Sequence, residues 1–202
     1  MPGDAAAGRA PTTDGRVLRA ERTRRSVVEA LLDLIGEGVV HPTAKQVSDR
    51  SGVSMRSIFR LFEDVEALHA EGISVQMARV APLFAAPEAS GPLLARAESL
   101  VAQRSRLYET ISPVRRLAIR LAARSTPIAT QLARSNAVLR NQLPKQFAPE
   151  LANLRPGPRD ETIEALDAVT SWEAWDRLRT GQHLDAGAAA RITTATVLAL
   201  LG

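Results

Sequence analysis

Apolar residues recur at helical spacing along most of this chain, and no segment shows the alternation typical of a β-strand. The first clear stripe consists of four residues at i, i+4, i+7 and i+8, namely Val27, Leu31, Leu34 and Ile35. These positions share one face of an α-helix, so they predict a first helix that buries this face. Gly36 and Gly38 follow the stripe and favour a left-handed end to that helix.

The stretch 43–62 predicts two short helices joined by a tight turn. Thr43 and Gln46 have the spacing of a capping box, in which each side chain satisfies a free backbone N–H of the other residue. Val47 is the inward residue of this second helix. Gly52 supplies the positive φ that a sharp turn between helices needs, and Ser54 is a suitable N-cap for the third helix.

The third helix is predicted to have two chemically different faces. Its inward face carries Ile58, Leu61 and Phe62, and its outward face carries Met55, Arg56, Phe59 and Arg60. A helix divided in this way can bury one side in a small core and offer the other to a DNA groove.

Six more helices are predicted beyond this region, which gives an all-α fold of about nine helices. Asp64 is expected to cap the fourth, which carries a stripe of Ile73, Met77, Val80 and Phe84 and is bent or ended by Pro82. The remaining five are expected over 93–111, from about 113, from 127 to 143, over 159–179 and over 185–201. Proline-rich connectors are expected at 87–92 and 149–158.

Composition limits the classes of protein that remain. The chain has 202 residues, of which 45% are apolar, enough for a substantial core. No apolar run reaches the ~18 residues that a membrane span needs, and residues 1–15 lack the apolar core of a signal peptide. We therefore expect a disordered arm over 1–15 and a cytoplasmic protein without a membrane partner. The absence of cysteine excludes disulfides and thiolate zinc sites.

The positive charge consists almost entirely of arginine. The formal net charge is +4, and Lys45 and Lys145 are the only lysines. Arginine suits phosphate and base-edge contacts because its planar fork binds two oxygens at once, although a GC-rich coding sequence also explains its abundance. Five arginines cluster between Arg16 and Arg25, either to contact DNA beside the main site or merely to solvate the first helix.

The stretch 22–68 resembles the DNA-binding domain of the TetR family of transcriptional repressors. The matching positions are Thr43, Val47, Ser48, Ser51, Gly52, Val53, Ser54, Phe59, Phe62 and Leu68. The resemblance implies a helix-turn-helix DNA-binding domain over 16–66 and a helical ligand-binding and dimerisation domain over 67–202.

The resemblance also implies the DNA contacts, which would come from Thr43, Lys45, Ser54, Met55, Arg56, Ser57, Phe59 and Arg60. Three departures from the family pattern matter. Phe59 stands where a tyrosine is usual and lacks its phosphate hydrogen bond, and Val65 replaces a frequent lysine. Arg56 replaces a small residue and can reach a guanine edge.

By the same resemblance, the chain is expected to be a homodimeric repressor that binds an inverted-repeat operator and is released by a small apolar or amphipathic ligand. Candidate ligand-binding residues are Phe84, Tyr108, Leu117, Leu121 and Trp172. Candidate dimer contacts are Trp175, Ile192, Ala195 and Ala199 in the last two helices. For the tryptophans and Tyr108, core or dimer packing is the competing interpretation.

Two other classes of function remain open. The acidic residues Glu63, Asp64, Glu66 and Glu71 favour, mildly, a helical protein-interaction module that does not bind an operator. A catalytic role is disfavoured, because the sequence shows no phosphate-binding loop, nucleophile elbow or cysteine nucleophile. The three histidines have no metal-ligand spacing, so neither a metal nor a cofactor is expected.

Overall fold

A computed structural model describes residues 12–202, with side chains from residue 15 onward, and this part of the chain is helical and contains no strand. Eleven α-helices are present in this range. They are α1 (Thr12–Gly36), α2 (Ala44–Ser51), α3 (Met55–Leu61), α4 (Val65–Val80), α5 (Leu93–Ala122), α6 (Thr126–Arg140), α7 (Leu143–Gln146), α8 (Ala148–Ala152), α9 (Pro156–Val169), α10 (Trp172–Asp176) and α11 (Ala186–Leu201). A 3-10 turn (Ala81–Phe84) follows α4, and a π-helical segment (Arg177–Gly181) follows α10.

The chain forms two compact units, and their boundary falls inside α4 between Gly72 and Ile73. This is six residues beyond the position expected from the sequence, because the first half of α4 packs into the first unit. Leu68 is fully buried there. A Cβ added at Gly72 would lie 2.7 Å from a methyl carbon of Leu31, so this glycine permits close approach of α4 to α1.

The first unit has a core contributed by four helices. Val27 and Leu31 of α1, Val47 of α2, Ile58 of α3 and Leu68 of α4 are each at most 1% exposed. The predicted apolar stripe of the first helix is therefore confirmed. The core holds α3 by one face only.

Local capping occurs where the sequence predicts it. Gly52, with φ +69°, adopts the left-handed conformation between α2 and α3. The Asp64 carboxylate accepts a hydrogen bond of 2.7 Å from the backbone N–H of Ala67, which caps α4. The helix ends at Val80, two residues before Pro82, which lies in the 3-10 turn; this agrees with the prediction that Pro82 ends or bends the helix.

The second unit is built around α5, which packs against α6, α10 and α11. Two apolar clusters lie along it. One contains Leu107, Tyr108 and Ile111 with both tryptophans, and the other contains Ala97 and Leu100 with Phe147 and residues of α9 and α11. The long, largely buried helix α5 is thus the centre on which the other helices of the second unit pack.

Helix α5 is a single helix of 30 residues, with Pro113 inside it. The expectation of a new helix beginning near Pro113 was wrong. Proline removes one hydrogen bond of the helix and costs about 3 kcal/mol, but Ile111 and Val114 on either side are buried. The Ser112 hydroxyl donates to the Tyr108 carbonyl at 2.6 Å, so burial and this bond hold the helix through the proline.

The predicted helix over 159–179 was also wrong, because it is interrupted at Thr170 and Ser171. The Thr170 hydroxyl donates to the Leu166 carbonyl at 2.7 Å and closes α9. The Ser171 hydroxyl accepts from the Ala174 N–H at 3.1 Å and opens α10. Side-chain caps therefore end one helix and start the next within a continuous apolar pattern.

Three further boundaries differ from expectation. The predicted helix from 127 to 143 is divided into α6 and α7, and the expected connector at 149–158 contains most of α8 and the start of α9. Of the arm expected at 1–15, residues 12–15 belong to α1, and the rest lies outside the described residues. Gly15 lowers helix propensity, but a single glycine costs only about 1 kcal/mol in a helix of this length.

None of the described helices is long and apolar enough to cross a membrane.

Candidate functional site

The outward face of α3 is exposed as the sequence predicts. Met55 is 38% and Phe59 is 46% exposed, and Arg56 and Arg60 are exposed beside them. Neither arginine forms a hydrogen bond or ion pair with any residue in the described part of the chain. Two unpaired guanidinium groups, one helical turn apart, are therefore available to an external partner.

The geometry of α3 is fixed by its other face and by the preceding turn. Ile58 and Phe62 are 1% and 3% exposed. The Ser54 hydroxyl accepts from the Ser57 N–H at 3.3 Å and caps the helix. The Ser48 hydroxyl donates to the Val53 carbonyl at 2.8 Å across the turn. Ser48 thus adds a bond that holds the angle between α2 and α3.

The N-terminus of α2 is a second exposed polar feature. Thr43 and Gln46 form the predicted capping box, with the Thr43 N–H donating to Gln46 Oε1 at 2.9 Å. Lys45 forms an ion pair with Asp49 at 2.7 Å, but both side chains are mostly exposed. An exposed i, i+4 pair contributes only about 0.3–0.5 kcal/mol, so Lys45 can exchange this carboxylate for a phosphate.

Arg24 joins three helices of the first unit. Its Nε lies 2.7 Å and 2.8 Å from the two carboxylate oxygens of Glu71 on α4. Its Nη1 donates at 2.8 Å to the carbonyl of Leu61, the last residue of α3. The guanidinium carbon also lies 4.5 Å from the ring centre of Phe62. Arg24 therefore fixes the C-terminal end of α3, and of the 16–25 cluster it is the arginine least available to DNA.

The other arginines of that cluster remain exposed. Arg16, Arg22 and Arg25 form no hydrogen bond or ion pair with another residue of the described range, and Arg19 donates only to the Gly15 carbonyl at 3.1 Å. They form an exposed basic segment at the start of α1. The pairing of Arg24 had no sequence signal, because its partners lie 37 and 47 residues away.

His69 supports the segment that leads into α2. Its imidazole is fully buried, and Nε2 lies 2.9 Å from the Pro42 carbonyl. Because a carbonyl only accepts, Nε2 carries the proton. Nδ1 is buried without a partner in the described chain, and the His41 ring meets His69 edge-on at 4.8 Å. Burial lowers the pKa of His69, so the neutral form is the one that fits.

A mostly apolar cleft lies within the second unit, between the end of α4, the 3-10 turn, α5 and α6. The empty space in the cleft and at its mouth, open solvent included, is about 410 Å³. The lining residues are Ile73, Gln76, Met77, Phe84, Ile111, Val114, Arg115, Ala118, Ile128, Gln131, Leu132 and Ser135. Of the five candidate ligand-binding residues, Phe84 lines this cleft.

Three of the other candidates are core residues instead. Leu117 and Leu121 are buried, at 1% and 6% exposure, and do not line the cleft. The Tyr108 hydroxyl donates to the Thr170 carbonyl at 2.8 Å. Burial raises the pKa of Tyr108 to about 12. Helical spacing identified these residues as inward-facing but not which side of α5 borders the cleft.

Both tryptophans belong to the core of the second unit. Trp172 Nε1 donates to the Ser112 hydroxyl at 2.9 Å, and Trp175 Nε1 donates to Glu109 at 2.9 Å. Trp172 does not line the cleft but lies next to Arg115, which does, so its assignment as a ligand contact stays a prediction. Trp175 is only 3% exposed, which corrects its assignment to a dimer surface, because its side chain is already used within one copy.

Arg115 is a buried cation in the wall of the cleft. Its side chain is 5% exposed, and its Nη2 donates to Asn136 at 2.9 Å and to Glu173 at 3.1 Å. The Nε is buried without a partner in the described chain. The ring centre of Trp172 lies 5.1 Å from the guanidinium carbon. Arg115 carries no signal in the sequence, because nothing local distinguishes it from the many exposed arginines.

One face of α11 is exposed and small or apolar. Ile192 is 44% exposed, and Ala195 and Ala199 are exposed on the same side. Ala189, Thr193 and Val197 are buried on the opposite side. The three remaining candidate dimer residues therefore form one accessible stripe.

Compared by sequence, the chain matches no family model and no curated protein. Compared by structure, it is similar to a TetR-family transcriptional regulator from Streptomyces coelicolor, with a TM-score of 0.66, 16% identity, and coverage of 89% of this chain and 79% of the other. It is also similar to a protein from Mesorhizobium loti assigned to the same family, with a TM-score of 0.59, 18% identity, and coverage of 91% and 96%. The chain thus has the TetR-regulator fold.

Proposed function

We propose that this chain, whose fold is that of the TetR-family transcriptional regulators, is a DNA-binding regulator of transcription. It acts as a homodimer on an inverted-repeat operator, most simply as a repressor that a small ligand releases. The observation that carries the proposal is the exposed face of α3, where Arg56 and Arg60 have no partner in the described chain.

Arginines on this face suit base reading in the major groove. A guanidinium that donates two hydrogen bonds to a guanine edge contributes about 1–3 kcal/mol of discrimination. Thr43, Lys45 and Ser57, near the N-termini of α2 and α3, are proposed to contact phosphates, because free backbone N–H groups there favour anions. Exposed Phe59 contacts the flank of the groove by packing alone.

Two copies are proposed to associate through the exposed stripe of α11. Ile192, Ala195 and Ala199 present small and apolar side chains that allow two helices to approach closely. A two-fold axis would place the two α3 helices about one DNA turn apart or slightly more, so each copy would read one half of an inverted repeat.

Ligand response is proposed to act through the cleft. The cleft is lined in part by Ile73, Gln76 and Met77, which belong to the same helix as Leu68 and Glu71 of the first unit. A ligand that prefers the conformation unable to span both half-sites would lower the population of the DNA-binding form. Its effect equals its difference in affinity for the two conformations.

The alternative is a helical protein-interaction module that does not bind an operator. Its main support was the acidic group beside α3, but Asp64 caps α4 and Glu71 pairs with Arg24. Only Glu63 and Glu66 of that group remain exposed without such a role. The structure therefore gives the interaction-module alternative less support than the sequence alone did.

The test is binding of the purified chain to the DNA upstream of its own gene, by gel shift and footprinting at several salt concentrations. The proposal expects a symmetric protected site and an affinity that falls steeply with salt, because phosphate contacts release counterions. Absence of binding at low salt, or affinity that salt does not change, favours the interaction module.

A further inference from the structure

We propose that the cleft of the second unit binds an amphipathic carboxylate, with its apolar body between α4, α5 and α6 and its carboxylate at Arg115. This inference rests on the proposed ligand response and names the chemical class of the ligand. It applies to the cleft defined above, whose lining residues all belong to the second unit.

The lining favours an apolar body that ends in one anionic group. Eight of the twelve lining residues are apolar, so a small hydrated ion alone would leave most of the wall unused. Within the described chain, Arg115 is the only charged residue of the lining, and none is acidic. A cationic ligand would meet a like charge that only the mostly exposed Glu173 offsets, whereas an anion would meet its opposite.

Arg115 retains unused donors and an incompletely compensated charge. Its Nη2 is occupied, whereas Nε and Nη1 form no hydrogen bond with a described residue. Its ion-pair partner Glu173 has a side chain that is 57% exposed, so water screens that carboxylate. A buried guanidinium in this position gains most from an anion that is itself removed from water.

Neighbouring groups orient the site toward a planar anion. The Trp172 ring centre lies 5.1 Å from the guanidinium carbon, within the range of a cation–π contact. Gln131 also lines the cleft, and its side-chain amide forms no hydrogen bond with a described residue. Its N–H₂ is therefore available to the second carboxylate oxygen. The hydrogen-bond donors of a guanidinium and a side-chain amide together match a ligand carboxylate better than a ligand hydroxyl or amine.

The experiment compares three probes with the same apolar chain and different head groups: decanoate, 1-decanol and decylamine in its cationic form. Binding to the full-length chain is measured without DNA, by calorimetry and by the tryptophan fluorescence of Trp172 and Trp175. The expected result is that decanoate binds at least tenfold more tightly than decanol, and that the amine binds more weakly than both. Equal affinity of decanoate and decanol, or preference for the amine, would overturn the proposal.

Two variants locate the carboxylate. Arg115→Gln is expected to remove the tenfold preference for decanoate over decanol, whereas Arg120→Gln, which removes an exposed charge from the same helix, is expected to retain it. Gln131→Glu adds a negative charge to the wall with little change in size and is expected to weaken decanoate at least tenfold. Asn141→Asp, an exposed change at the end of α6, is its control. If Arg115→Gln does not fold, the Gln131→Glu result alone decides, and retention of the decanoate preference in that variant contradicts the proposal.

These measurements separate the inference from the function on which it rests. A chain that binds its upstream DNA but shows no carboxylate preference refutes the ligand class and leaves the regulator intact. A chain that shows the preference but never binds DNA supports the ligand class and refutes the regulator.

Discussion

His69 is a buried imidazole whose two nitrogens have different surroundings. Nε2 donates to the Pro42 carbonyl, just before the N-cap of α2, and Nδ1 has no partner in the described chain. A second proton would place a charge on Nδ1, where nothing accepts its hydrogen bond. Burial is the largest cause of the lowered pKa, and the neighbouring His41 lowers it further, whereas the Pro42 bond and Glu66 oppose this shift.

The first unit is therefore expected to lose stability in mild acid. An imidazole with a pKa below its unfolded value of about 6.5 contributes full stability above that pH and loses it as the pH falls toward the folded pKa. Because one group is involved, the free energy of unfolding should fall by at most about 1.4 kcal/mol per pH unit between pH 6.5 and 5.5. Urea unfolding at a series of pH values measures this slope.

His69→Gln keeps an N–H donor without a titratable ring and should flatten the slope. His183→Asn, at an exposed position with φ 56° that asparagine tolerates, should retain it. An unchanged slope in His69→Gln would show that another group is responsible.

The residues of the candidate sites were predictable from the sequence where their role is local. Arg56, Phe59 and Arg60 follow from one helical repeat, and their exposure agrees with the pattern. Arg24 and Arg115 have ion-pair partners 47 and 58 residues away. No periodicity connects such positions, so only the packed structure distinguishes these two from solvated arginines.

At the scale of helices, caps and glycines identified α2, α3 and the ends of α1 and α4, because those signals act within one turn. The sequence failed where packing outweighs a local signal. Pro113 should end a helix but lies within buried α5, and the apolar pattern over 159–179 continues across a break closed by Thr170 and Ser171. Local rules predict boundaries well only when no large buried surface opposes them.

The short helices α7 and α8 depend on polar contacts with α5. Arg96, with its side chain 4% exposed, forms a bidentate ion pair with Glu150, whose side chain is 18% exposed. The same guanidinium donates to the carbonyls of Gln146 and Gly91 at 2.7 Å and 3.0 Å. The pair holds the pKa of Glu150 below its ordinary value. Arg96 therefore joins α7, α8 and the loop at Gly91 to α5.

Glu150→Ala is expected to lower the free energy of unfolding by about 3 kcal/mol, because it leaves the Arg96 charge buried without its counter-ion. Glu161→Ala, an exposed change on α9, should shift it by less than about 0.5 kcal/mol. Chemical denaturation of both variants measures the difference. Equal, small effects would indicate that the carbonyls alone satisfy Arg96.

At the scale of the whole molecule, the first unit carries the exposed arginine face of α3, and the second unit contains the cleft and the exposed stripe of α11. The fold similarity covers 89% or more of this chain, but at 16–18% identity it does not carry the partner or the ligand. Those depend on residues of this chain: we propose Arg56 and Arg60 as the contacts to DNA and Arg115 as the contact to the ligand. The assignment of Arg56 and Arg60 carries the proposed regulatory function, whereas that of Arg115 has its own test.

The most direct test is therefore the affinity of the Arg56→Ala, Arg60→Ala double variant for the footprinted DNA and for an unrelated duplex of equal length, measured by fluorescence anisotropy. Because base contacts contribute about 1–3 kcal/mol each, affinity for the footprinted site should fall at least tenfold, and more than affinity for the unrelated duplex. Arg134→Ala, an exposed change on α6, should bind both duplexes as the unaltered chain does. A double variant that still prefers the footprinted site to the same degree would contradict the assignment of α3 to DNA reading.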